Sequence, residues 1–108
     1  MSDKELTIDG RRWFDSHAGN TYHSVHILFG DVDHIIGYTY GYGRQFEETA
    51  LNWLRQNGHL GEVRRSKSGI WHFREALEAL GITKLVSVDD VDTKGELHQE
   101  PEDEEDDD

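Results

Sequence analysis

Cysteine is absent from this chain of 108 residues. That absence removes disulfides, thiolate catalysis and cysteine-ligated zinc or iron–sulfur sites. Long apolar runs are missing as well. No stretch approaches the roughly 20 apolar residues of a membrane-spanning helix, and Met1 to Gly10 alternates charged with apolar residues, without the apolar centre of a secretion signal. These absences predict a soluble, cytoplasmic protein with no membrane partner.

Apolar residues also nearly vanish from one end, where Val91 and Leu97 are the only two in the last 20 positions. The same segment, Asp89 to Asp108, holds twelve acids against the single base Lys94, whereas residues 1–88 hold eleven acids and ten bases. The formal charge of −12 is therefore a property of the C-terminus, and the rest is close to neutral. A stretch so poor in apolar surface and so self-repelling cannot offset its ordering entropy. One domain over residues 1–88 and a disordered acidic tail over 89–108 are expected.

Period-two alternation marks strands over Lys4–Asp15, Thr21–Phe29 and His34–Tyr42, separated by turns at Gly19-Asn20 and Gly30–Asp33. Gln45–Asn57 carries Phe46, Ala50, Trp53 and Leu54 at helical spacing, with Gly58 as its left-handed cap. A basic loop, Arg64 to Gly69, precedes a second helix from about Ile70 to Leu80, whose stripe is Ile70, Phe73, Leu77 and Leu80 and which Gly81 ends. Ile82–Val88 reads as a last strand. The fold class is α+β: a three-stranded antiparallel meander, two helices and a final strand, with the helices on one sheet face.

Seven histidines raise the question of a metal, but His23 and His26 leave opposite faces of one strand. A site from His17, Asp31, Asp33 and His34 across two turns competes with their reading as ordinary polar turn residues. A calcium loop starting at Asp31 fails, since its fifth and twelfth positions are Ile35 and Tyr42. No nucleophile–base arrangement or carboxylate pair is legible, so no catalytic residue, cofactor or metal is expected.

Two constellations point to binding. Gly41-Tyr42-Gly43-Arg44 leads from a strand into a helix, where amide groups and Arg44 suit an anion; glycines that let the chain turn sharply are the simpler explanation. Tyr38, Tyr40 and Tyr42 share a parity with Ile36 and lie near Trp13 and Tyr22. Exposed beside Arg11, Arg12, Arg64, Arg65 and Lys67, these rings would stack on the bases of a single strand; under the helices, they would form a half-buried core face instead.

The runs Arg11-Arg12-Trp13-Phe14, Gly19-Asn20-Thr21-Tyr22-His23-Ser24-Val25 and Tyr40-Gly41-Tyr42-Gly43 resemble a group of small proteins encoded by bacteriophages and prophages. The similarity covers residues 8–55 or so and implies a viral accessory product inside a prokaryotic cell, without implying an activity. Together these readings predict a non-enzymatic accessory protein that binds single-stranded nucleic acid through the rings, Arg44 and the basic residues above. Its acidic tail would compete for that cationic surface or recruit partners. The alternative is an inhibitor of a nucleic-acid-handling host protein, in which the tail imitates phosphates; a domain without net positive charge favours no broad nucleic-acid field.

Overall fold

Alternating apolar residues draw Glu5–Asp15 (β1), Asn20–Phe29 (β2) and Val32–Tyr40 (β3) into an antiparallel meander in the computed structural model, which describes residues 4–97. The first turn is pinned by Asp15, whose side-chain oxygen accepts from the amides of His17 and Ala18, and by Gly19 at φ 73°. Asp and Gly supply this geometry because the carboxylate imitates a turn carbonyl and glycine has no Cβ to clash. The remaining elements are Gln45–Gln56 (α1), Phe73–Ala79 (α2), Thr83–Val91 (β4) and a single turn, Lys94–Leu97 (α3). β4 lies parallel to β1, giving the sheet order β3-β2-β1-β4.

One sheet face is buried under α1 and α2. Leu6 and Ile8 from β1 and Val25 and Ile27 from β2 meet Phe46, Ala50, Leu51 and Leu54 of α1, with Leu60 and Leu77 closing the cluster. Gly10 belongs to the same face, and a Cβ there would stand 2.4 Å from the Phe46 ring. Glycine is required at this point so that the ring can lie against the β1 backbone.

Both main helices end the same way. His59 N–H donates to Leu54 O and Gly58 N–H to Arg55 O, and the pattern recurs at Ile82 to Leu77 and Gly81 to Glu78. Gly58 and Gly81 have positive φ, so each helix stops in a Schellman motif that satisfies its last carbonyls. The sequence places the second helix from about residue 70, yet it begins at Phe73. Residues 64–72 form a hairpin instead, closed by Ser66 N–H to Ile70 O and His72 N–H to Arg64 O. Ile70 is consequently exposed and takes no part in the helix stripe.

The expected tail boundary also shifts. β4 continues through Asp89 and Asp90 to Val91 because it pairs with Arg11, Arg12 and Trp13 of β1, and the Arg12 guanidinium grips Asp90 at 2.7 and 3.0 Å. Beyond it, Leu97 is fully buried. Order thus extends nine residues past Val88; the rest of the expected tail, 98–108, lies outside the described residues. Among the described residues no helix is long and apolar enough to cross a membrane.

Candidate functional site

Between His23 and Val25 the β2–β3 register slips: Val25 faces Ile36, whereas His23 faces Thr39. The extra residue is accommodated by Gly37 and by Tyr38 at φ 43°, the only non-glycine residue with positive φ among those described. This is a β-bulge, two residues on one strand against one on the other, and it reverses which face the following side chains take. Ile36 stays on the helix side, while Tyr38 and Tyr40 swing to the opposite face, 40% and 62% exposed. The rings are therefore surface groups, and the half-buried arrangement under the helices does not occur for them.

On that open face Trp13 (β1), Tyr22 (β2) and Tyr38 (β3) form a row. Ring centroids are 6.1 Å apart for Trp13–Tyr22 and 4.7 Å for Tyr22–Tyr38, both stacked, while Tyr40 meets Tyr22 edge-on at 5.8 Å. Both faces of Tyr22 are thus occupied. The Lys94 ammonium sits 4.6 Å from the Tyr38 ring centre, within the range of a cation–π contact.

Lys94 is held there by the chain's return across the open face. Thr93 and Glu96 cap α3 reciprocally: Thr93 Oγ1 accepts from the Glu96 amide and the Glu96 carboxylate from the Thr93 amide, the pairing of a capping box. Arg11 donates to the Glu96 carbonyl at 2.9 Å and the Ser24 hydroxyl to that of Leu97. Neither Lys94 nor Leu97 stands out in an acidic segment, although Thr93-x-x-Glu96 is the signal from which this turn was readable.

The predicted cations do not converge on the rings. Arg11 alone shares the open face. Arg12 lies on the helix face, where it binds Asp90 and donates to the Gly43 carbonyl at 2.8 Å. Arg44 pairs with Glu47 at 2.5 Å, and Glu47 also accepts from Lys84. Burial pushes the Glu47 carboxyl upward in pKa, but the hydrogen bonds from Lys84 and Arg44 outweigh it and hold the group below its usual value. Arg44 is consequently committed, and Tyr42, 67% exposed, borders with it a cleft of about 500 Å³ that also touches Leu51 and Phe73. The Gly41–Gly43 segment turns the chain from strand to helix.

Arg64, Arg65 and Lys67 sit on the 64–72 hairpin, in the helical layer across the sheet from the aromatic row. Arg64 makes a two-pronged pair with Glu75. Trp71, absent from the predicted site, anchors this hairpin: the Arg55 guanidinium of α1 lies 3.9 Å from its ring centre and that of Arg65 lies 5.1 Å away. A tryptophan two residues past a basic loop was the available signal.

The histidines serve separate structural roles. His23 is buried with Nδ1 donating to Gly41 O at 3.1 Å and Nε2 meeting Thr49 Oγ1 at 2.9 Å. Because a carbonyl only accepts, the proton is on Nδ1 and the Thr49 hydroxyl donates to the neutral ring. Burial lowers the His23 pKa, with the Gly41 hydrogen bond opposing it. On the other face His26 contacts Asp33 at 2.6 Å, and His34 stacks on Trp53, so these groups do not assemble around one point. Among the described residues no cluster of three His, Asp or Glu side chains is placed to hold a metal. No family model, curated protein or solved structure matches the chain.

Proposed function

We propose that the chain is a non-enzymatic accessory protein that binds a lysine- and arginine-rich protein surface through the row Trp13, Tyr22, Tyr38 and Tyr40. The carrying observation is that the ring faces of Tyr22 and Tyr38, at the centre of the row, are already used. Trp13 and Tyr38 cover both sides of Tyr22, and Lys94 covers Tyr38. A base stacks by lying on a ring face, so it would have to break these contacts; a partner protein needs only the rigid ring edges and hydroxyls, which Tyr presents at low entropic cost. Charge supports the same reading: the described residues hold fourteen acids and eleven bases, which leaves little positive field for phosphates. The resemblance to phage proteins fits an inhibitor of a basic, nucleic-acid-handling host factor.

A second reading, single-stranded nucleic acid on the same face, is favoured by the exposure of Tyr38 and Tyr40. The test is capture from prokaryotic lysate with the full chain and with Y38A/Y40A, reconstitution with the purified captured protein, and titration with oligodeoxythymidylate at low salt. The proposal expects a basic protein that binds in the purified system, loses affinity about 10-fold or more with the double variant, and no oligonucleotide binding. Oligonucleotide binding that depends on Tyr40 would transfer the function to the second reading.

A further inference from the structure

Five of the arginines and lysines in this fold have a carboxylate: Arg12 has Asp90, Arg44 and Lys84 share Glu47, Arg64 has Glu75 and Arg74 has Glu78. Arg55, Arg65 and Lys67 have none among the described residues, and they gather at one place. Arg55 and Arg65 both lie over Trp71, and Lys67 is exposed at the tip of the same hairpin. Arg55 and Arg65 share one indole with no carboxylate on either, so an anion that reaches the hairpin is attracted by both guanidiniums and by Lys67.

The chain supplies such an anion. After Leu97 it continues for eleven residues that include eight carboxylates, Glu100 and the unbroken run from Glu102 to Asp108. We infer that the acidic run Glu102–Asp108 docks on the Arg55–Arg65–Lys67 cluster around Trp71 of its own molecule. This goes beyond the proposed function and does not depend on it, since the hairpin and the aromatic row are on opposite sides of the sheet.

Eleven residues extend up to about 36–40 Å, against a helical layer about 10–12 Å deep that the chain passes to reach the hairpin from the open face. Tethering raises the local concentration of the run to the millimolar range, so an individually weak charge contact is populated within the molecule. Several exposed pairs screened by salt make the contact strongly dependent on ionic strength. The run would thereby cover the cations that remain open to a phosphate.

The test uses the absence of cysteine. A nitroxide on Asp108→Cys of the full chain is uniquely placed, and its broadening of backbone amide signals reports proximity. The expected result is loss of signal from Arg65 to Trp71 and from the Trp71 indole at low salt. Signal should return near 1 M salt, where the Debye length is about 3 Å, and in the R65A/K67A background. No broadening at the hairpin, or broadening confined to the Trp13–Tyr40 face, overturns the inference. Broadening seen only when tagged chain is mixed with isotope-labelled untagged chain also overturns it, because the contact is then between copies. A further contrary result is an oligodeoxythymidylate that shifts the hairpin equally whether or not the seven carboxylates are replaced by amides, which would make nucleic acid the occupant. Capture of a basic partner through Tyr38 and Tyr40 is unaffected by any of these outcomes, so the two ideas fail separately.

Discussion

The ring of His23 ties Gly41 to Thr49: its Nδ1 donates to the Gly41 carbonyl at 3.1 Å while Nε2 contacts the Thr49 hydroxyl at 2.9 Å. One buried imidazole therefore fixes both the end of β3 and the position of α1 over the sheet. A Cβ at Gly41 would come within 2.9 Å of this ring, so strand end, glycine and histidine form a single fitted unit. Gly19 to Val25 and Tyr40 to Gly43 meet at this point.

Replacement of His23 by alanine should lower stability by about 2–4 kcal/mol, through a cavity and two orphaned partners. The pH dependence has a defined sign. Burial depresses the folded-state pKa of His23 below 6.5, so the unfolded chain binds more protons as the pH falls. The contribution is complete above that pH and is lost as the pH drops below it toward the folded-state value. Urea midpoints at pH 8 and 5.5 should differ more in the natural chain than in H23A, which cancels the other histidines.

Gly10→Ala should cost about 1–3 kcal/mol by overpacking against Phe46, despite the better strand propensity of alanine. If the Phe46 contact is the cause, the penalty shrinks in an F46L background, measured as a double-mutant cycle by denaturant unfolding. Equal penalties in both backgrounds would place the strain elsewhere.

Tyr22 and Tyr40 are cross-strand neighbours, yet they should behave differently. Tyr22→Ala removes stacks on two sides and should cost about 2–4 kcal/mol, whereas Tyr40→Ala removes one edge contact from an exposed ring and should cost about 1 kcal/mol or less. Thermal unfolding of the two variants checks the order. It also qualifies Y40A as a probe of binding that leaves the fold intact.

Leu97→Ala should destabilise the full chain by about 2–4 kcal/mol, a large effect for a residue in a segment that reads as solvated charge. Hydrogen exchange should accelerate at residues 92–97 first, with loss of the Arg11 contact to Glu96. A neutral outcome would mean that the described fold is complete at Val91.

Much of this architecture was legible because strand and helix periods are written in the apolar residues themselves. Val25, Ile27 and Phe29 alternate without interruption, and Gly58 and Gly81 sit where the helices must stop. Tyr38 and Tyr40 were not legible in the same way. Their spacing continues that of Ile36, and only the isolated Gly37 hints that the strand takes an extra residue there. One inserted residue moved the aromatic face from core to surface. The site was harder still, since pairing decides which cations remain available. Arg12 and Arg64 look like Arg65 in the sequence, and only the fold brings Asp90 and Glu75 to them, whereas Glu47 lies within local reach of Arg44. Leu97 illustrates the converse: composition describes the average of a segment and is silent about a single anchor.

The parallel pairing of β1 with β4 carries a consequence for the order of assembly. The meander joins strands that are neighbours along the chain, but every β1–β4 pair, from Glu5 with Thr83 to Trp13 with Val91, links residues 78 apart. Such contacts close the largest loop and form late. During synthesis the meander and its aromatic row therefore emerge while β4 and Lys94 are still inside the ribosome. For that interval Tyr38 has no cation above it and β1 has an open edge, so nascent chains are most prone to strand pairing with one another before the last quarter has been made.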